Sequence, residues 1–173
     1  MLHGCFTASS SVPQNARTLS GLMELTLIRH AIADDGPDDA ARPLSKKGRK
    51  RFEQSVVTLG ALGLRFDRVL HSPKRRAVET AELLKPLCDG ELDSTALLTK
   101  EPGVDLWEML QGERLAVVGH EPHLSSLLAW LVTGEPAGEN FELKKGGVAQ
   151  LEGEPVPAGM KLLSLLQPKV LRR

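Results

Sequence analysis

Two short apolar runs, Leu25-Thr26-Leu27-Ile28 and Leu115-Ala116-Val117-Val118, each end in a loop that carries a histidine, and apolar residues at helical spacing follow each loop. A continuous run of this length between polar residues reads as a strand buried on both faces, which requires helices on both sides of a sheet. A further strand, Arg68-Val69-Leu70-His71, leads into Ser72-Pro73, with Ser72 as N-cap and Pro73 at the first helical position. Strand, loop and helix thus recur. The pattern predicts a three-layer α/β/α sandwich with a mainly parallel sheet. Near the C terminus, Val148-Ala149-Gln150-Leu151 and residues 161–166 flank a loop with Gly153, Pro155, Pro157 and Gly159, predicting an antiparallel edge hairpin.

The helices carry their own punctuation. Ser45 predicts the N-cap of a helix whose apolar stripe is Phe52, Val56, Leu59 and Leu62, ended by the Gly60 to Gly63 region. Ala77, Ala81 and Leu84 mark the buried face of the helix that Pro86 closes. A weak strand is expected around Ala96-Leu97-Leu98, a short helix over Leu106 to Leu110, and a last helix on Leu124, Leu127, Leu128 and Leu131. Trp107 and Trp130 read as packing residues. No internal repeat, Gly-rich phosphate loop or dividing linker interrupts the chain, so one domain is expected over 23–168. Residues 1–22, without periodicity, read as a disordered extension or a misassigned start, and 169–173 as a basic tail.

Composition narrows the function. The 173 residues carry 22 Lys plus Arg and 22 Asp plus Glu, so no bulk field draws the chain to nucleic acid or an anionic membrane. Aromatic residues are 3% with no Tyr, which leaves little to stack on bases. No apolar run approaches a membrane span. Cys5 and Cys88 form neither a disulfide framework nor a zinc-ligand spacing, and the expected compartment is the reducing cytoplasm. Nothing in the sequence demands more than a monomer.

Basic residues gather where the strands stop: Arg29-His30 after the first run, Arg75-Arg76 one helical turn beyond Ser72-Pro73, and His120 after the second run. C-terminal strand ends share one edge of a parallel sheet, so these side chains can meet in one crevice, with Arg42 joining from the first loop. An imidazole can act as a nucleophile and guanidiniums can hold a phosphoryl group through paired hydrogen bonds. Leu27-Ile28-Arg29-His30-Ala31, Arg42-Pro43-Leu44-Ser45 with Gly48, Ser72 to Ala81 and Val118-Gly119-His120-Glu121-Pro122 resemble, in order, the motifs of the histidine phosphatase (phosphoglycerate mutase-like) superfamily. The small size and lack of an inserted cap are most similar to SixA-type phosphohistidine phosphatases. The resemblance implies the histidine phosphatase fold, His30 as nucleophile, Arg29, Arg42 and Arg76 on the phosphoryl oxygens, and His120 as the second histidine.

The expected chemistry is in-line attack by neutral His30 on phosphorus, then hydrolysis of the phosphohistidine, with no metal or other cofactor because arginines neutralise the charge. His120 is more useful as a cation, so opposite protonation states are expected for the two histidines. Arg75 is read as solvated surface, and His71 either borders the pocket or is a hydrogen-bonded strand-end residue. The spacing His120-Glu121-Pro122-His123 lacks a third metal ligand. The resemblance also implies a carboxylic acid, in the segment after the second helix, that protonates an alkoxide leaving group; Glu101 and Glu108 fall in that region, but Thr99-Lys100-Glu101-Pro102-Gly103 matches no such motif. A phosphohistidine needs no such acid, which tilts the reading toward a protein phosphohistidine phosphatase acting on a phosphorelay or phosphotransfer protein. A small-molecule phosphomonoesterase using Glu101, and a phosphate-binding module without turnover, are the alternatives.

Overall fold

The central strands owe their place to their apolar runs. The computed structural model describes residues 22–172; Cys5, Arg173 and nearly all of the expected extension lie outside that range. Six strands form one sheet: β1 (Met23–Arg29), β2 (Phe66–His71), β3 (Cys88–Ser94), β4 (Arg114–Gly119), β5 (Val148–Gly153) and β6 (Met160–Leu166). Their order is β3-β2-β4-β1-β5-β6. β1, β2, β3 and β4 are parallel, and β5 runs antiparallel to both β1 and β6.

Successive side chains of a strand point to opposite faces, and here they feed two cores. Leu25, Leu27, Leu115 and Val117 pack on one face with Leu106 of α3 (Val104–Met109) and with Leu124, Leu127, Leu128 and Leu131 of α4 (His123–Thr133). Ile28, Ala116 and Val118 pack on the other with Phe52, Val56 and Leu59 of α1 (Lys46–Ala61) and Ala77 and Ala81 of α2 (Arg75–Leu83). The result is the expected α/β/α sandwich with its antiparallel hairpin. Trp107 and Trp130 stack with ring centroids 3.8 Å apart beside the α3–α4 core, as packing residues. Leu171, beyond β6, is buried in the α1–α2 core.

Three local expectations fail. The segment around Ala96-Leu97-Leu98 is a 3-10 turn, Ala96–Thr99, and the strand is the preceding Cys88–Ser94. Among the described residues that strand pairs only with β2, and it is largely exposed, so it needs no apolar pattern. Ser72 and Pro73 precede α2 rather than opening it, with Lys74 at the N-cap. Arg75 N–H donates instead to the Ala40 carbonyl at 2.9 Å, and Ser72 spends its hydroxyl on a histidine described below. Leu62 is 59% exposed because α1 stops at Ala61 and Gly63 turns at φ 87°, which passes the buried position to Leu64.

Ser45 does cap α1, its hydroxyl oxygen accepting from Gly48 N–H at 2.9 Å. The same hydroxyl and the Ser45 N–H both donate to the Ile32 carbonyl, tying α1 to the chain leaving β1. Gly48 sits against that carbonyl, and a Cβ there would overlap its oxygen. Gly48→Ala should therefore destabilise the fold by about 1–3 kcal/mol through overpacking, although Ala ordinarily favours a helix by about 1 kcal/mol. A urea-unfolding midpoint above that of the parent protein would contradict this.

Candidate active site

The register of the sheet brings two histidines together. Arg29 pairs with Gly119 across β1 and β4, so the residues that follow, His30 and His120, leave adjacent strand ends side by side. His30 N–H donates to the Gly119 carbonyl at 3.0 Å, and Ser72 N–H donates to the Val118 carbonyl at 3.0 Å, which draws the end of β2 in from the other side. The two imidazoles are buried with ring centroids 4.9 Å apart. Arg76, only 6% exposed, reaches in from the first turn of α2.

Hydrogen bonds set the state of each ring. His30 Nδ1 lies 2.7 Å from the Ala31 carbonyl, an acceptor only, so Nδ1 carries the proton and Nε2 holds a bare lone pair. Arg76 Nε donates to that Nε2 at 3.3 Å. His120 Nε2 lies 2.8 Å from Ser72 Oγ, while its Nδ1 is buried without a partner. Ser72 Oγ also accepts from the Lys74 N–H at 3.3 Å. With Nε2 on the Ser72 hydroxyl, Nδ1 is the ring atom left without a partner to meet a ligand.

Burial pushes the His30 pKa down to about 4, assisted by the charges of Arg76, Arg29 and Lys145 and opposed by the Ala31 hydrogen bond. Burial also brings His120 down to about 3, assisted by His30, Arg76 and Lys74. In the substrate-free protein the two shifts thus run in the same direction, whereas opposite protonation states are expected during attack. Burial favours the neutral form of both rings at pH 7 in the substrate-free protein, and Asp39 offsets only a small part of the lost solvation at His120.

The arginines are less evenly arranged than their motifs suggest. Arg29 Nη1 donates to the Leu143 carbonyl at 2.8 Å, and its buried Nε has no partner. Arg42 faces the loop that holds it, with Nε on the Asp34 carbonyl at 2.8 Å and Nη1 on Asp39 Oδ1 at 3.1 Å. Asp39 also takes Lys74 Nζ at 2.7 Å and Arg76 Nη2 at 3.2 Å on Oδ2, and its backbone carbonyl accepts from Arg76 Nη1. Hydrogen bonds from Lys74 and Arg76 hold its carboxyl well below the usual carboxylate range. Asp39 thus tethers the outer edge of Arg76 and leaves the Nε edge facing His30.

Asp39, Ser72, Thr80 and Glu121 are the polar supports that sequence reasoning passed over. Thr80 Oγ1 accepts from Ala31 N–H at 3.1 Å and donates to the Arg76 carbonyl at 2.6 Å, fastening β1 to α2 behind the site. Glu121 accepts from Leu143 N–H at 3.0 Å and Ser125 N–H at 3.2 Å, holding the strip whose carbonyl receives Arg29. Each sits inside a quoted motif or loop, but only the folded contacts distinguish it from its neighbours.

Other expected residues lie outside this cluster. Arg75 is exposed and pairs with Glu79 at 2.8 Å. His71 is buried, its Nδ1 3.0 Å from the Ser72 carbonyl. Glu101 is 65% exposed and bonded to His123 Nδ1 at 3.1 Å, and Glu108 is exposed on α3. Among the described residues, no group of three His, Cys, Asp or Glu side chains is placed to hold a metal ion, and no helix is long and apolar enough to cross a membrane.

An uncharged, buried imidazole with one nitrogen fixed and the other bare is suited to attack an electrophile, and the unspent N–H groups around it are suited to receive anionic oxygens. No protein-family model matches the chain. It is 34% identical over 140 residues to an uncharacterized protein of Picosynechococcus sp., covering 75% of this chain and 84% of that protein. Over 90 residues it is 34% identical to the mitochondrial serine/threonine-protein phosphatase PGAM5 of Rattus norvegicus, covering 47% of this chain and 31% of that protein, so it spans about a third of that relative. The fold is similar to that of the protein histidine phosphatase SixA complexed with tungstate, with a TM-score of 0.73 and 23% identity, covering 86% of this chain and 99% of that one.

The shifts of His30 and His120 link stability to pH. Unfolded imidazoles take up a proton near pH 6.5, whereas the folded ones resist it until about pH 4 and 3, so stability is full above 6.5 and falls as pH drops through that window. The urea midpoint should fall between pH 7.5 and about pH 5, and fall less in His120→Asn. A midpoint that holds steady over that range in the parent protein would refute the neutral, buried pair.

Proposed function

The chain belongs to the histidine phosphatase superfamily, and from that premise we propose that it is a phosphohistidine phosphatase acting on phosphorylated proteins. The observation that carries the reading is His30: buried, neutral, with Nδ1 tied to the Ala31 carbonyl and Nε2 presented to Arg76. In the first step the Nε2 lone pair forms a bond to phosphorus as the bond from phosphorus to the substrate imidazole breaks. That imidazole, protonated on its other ring nitrogen, leaves neutral. Water then attacks the phosphoryl group on His30, the bond to Nε2 breaks, and the proton lost by water remains with phosphate or passes to solvent. His30 returns as the neutral ring that began.

The surrounding groups stabilise charge rather than transfer protons. Arg76 Nε releases Nε2 and takes up a phosphoryl oxygen, Arg29 Nε and His120 Nδ1 supply the donors left unpartnered in the fold, and Arg42 closes from the loop once it gives up Asp39. Such a site needs no metal or other cofactor, because the guanidiniums supply the positive charge. A single preorganised donor of this kind is worth about a hundredfold in turnover. The reading takes the cytoplasm as the site of action and a phosphorelay or phosphotransfer protein as the partner.

The alternative, a phosphomonoesterase acting on small molecules, requires an acid for the alkoxide leaving group. Glu101 is the candidate, yet its hydrogen bond goes to His123 and its side chain faces solvent, which argues against that role.

Phosphoramidate and a histidine-phosphorylated protein, assayed beside glycerol phosphate and phosphoserine, separate the two. The phosphoramidates should be the faster substrates, and Glu101→Gln should leave their hydrolysis nearly intact. Rapid hydrolysis of an alkyl phosphate, slowed about a hundredfold or more in Glu101→Gln, would replace this reading with the esterase.

A further inference from the structure

A cleft of about 590 Å³ opens beside Arg29, between α1, the turn at 142–146 and the segment at 167–172. Its charge is one-sided. Arg51, Lys144, Lys145, Lys169 and Arg172 line it against a single carboxylate, Glu142, in a chain whose acids and bases balance overall. Among the described residues, Arg51, Lys144, Lys145 and Lys169 have no carboxylate within ion-pair distance, whereas Arg42, Arg49, Lys74, Arg75 and Arg76 are all paired. Phe52 supplies an apolar floor, and Val170 adds an exposed apolar edge.

The cleft is continuous with the histidine site. Gly146 N–H lies 3.0 Å from the Arg29 carbonyl and 3.1 Å from that of His30, so the lysine-bearing turn is bonded to the strand end that presents the nucleophile. Away from Arg29, its uncharged side chains of fixed direction are already bonded within the protein. Ser55 Oγ donates to the Arg51 carbonyl, and Gln167 bridges the Glu142 carbonyl and the Lys144 N–H. A stereospecific small-molecule site would need such groups free. What remains is a set of long cations over an apolar floor, which fits an extended acidic surface.

We propose that this cleft docks a carboxylate-rich segment flanking the phosphohistidine of the substrate protein, with one apolar side chain against Phe52 and Val170. The proposal rests on the phosphohistidine reading above and adds to it how a protein substrate is selected. Opposite charges across such a surface favour the right partner and speed encounter.

The test uses two synthetic phosphohistidine peptides, one with glutamates and one with glutamines flanking the phosphohistidine, the parent protein, and the double variant Lys144→Glu with Lys169→Glu. The parent should favour the glutamate peptide about tenfold in kcat/KM, mainly through KM, and the preference should vanish or invert in the double variant. Phosphoramidate itself should be hydrolysed equally by both proteins. Anisotropy of a fluorescent glutamate peptide without phosphate gives a readout free of turnover: binding should weaken with salt and be lost in the double variant. Equal kcat/KM for the two peptides, or binding that survives the charge reversal, overturns the docking proposal. Parent protein that binds the acidic peptide but hydrolyses neither phosphopeptide nor phosphoramidate overturns the phosphohistidine reading and leaves the docking surface standing.

Discussion

The parallel pairing of β1 with β4 is the constraint from which the site follows. Its register opposes Arg29 to Gly119, so the chain turns out of both strands at one level and delivers His30 and His120 into contact. A slip of one residue would carry Leu25 and Leu27 to the wrong core and send the histidines to opposite faces. Two separate apolar cores enforce the register, one read by Leu25, Leu27, Leu115 and Val117, the other by Ile28, Ala116 and Val118. The packing that stabilises the fold is therefore also what brings the reactive groups together.

Electrostatics then works by subtraction. Arg29, Arg76 and Lys145 surround His30 with positive charge, and burial removes the water that would stabilise a further cation, so the ring stays neutral. The same surroundings that keep His30 deprotonated are complementary in charge to a phosphoryl group. Asp39 offsets part of this charge in the substrate-free protein by holding Arg42, Lys74 and the outer edge of Arg76. In the proposed reaction the phosphoryl group would compete with that carboxylate for Arg42, which would make the loop at 34–43 a participant in the site.

Much of this was legible in the sequence because it depends on local pattern. Apolar runs located β1 and β4, Ser45 located the start of α1, and the strand-end motifs carried His30, His120 and Arg76 to one sheet edge. What escaped depends on contacts between distant segments. β3 is a polar edge strand with no apolar signature, so its neighbour Ala96-Leu97-Leu98 drew the assignment. Asp39 is one of four aspartates in a loop, and only the closure of that loop onto α2 singles it out. The lowered pKa of His120 escapes the sequence for the same reason, since burial against His30, Arg76 and Lys74 exists only in the folded site.

The central claim is that His30 Nε2 carries the phosphoryl group during turnover. Quenching a reaction with labelled phosphoramidate within the first turnover, followed by peptide mapping, tests it directly. The account predicts acid-labile label on His30 and none in His30→Asn. Label on a serine, a cysteine or another histidine, or turnover that persists in His30→Asn, would contradict it.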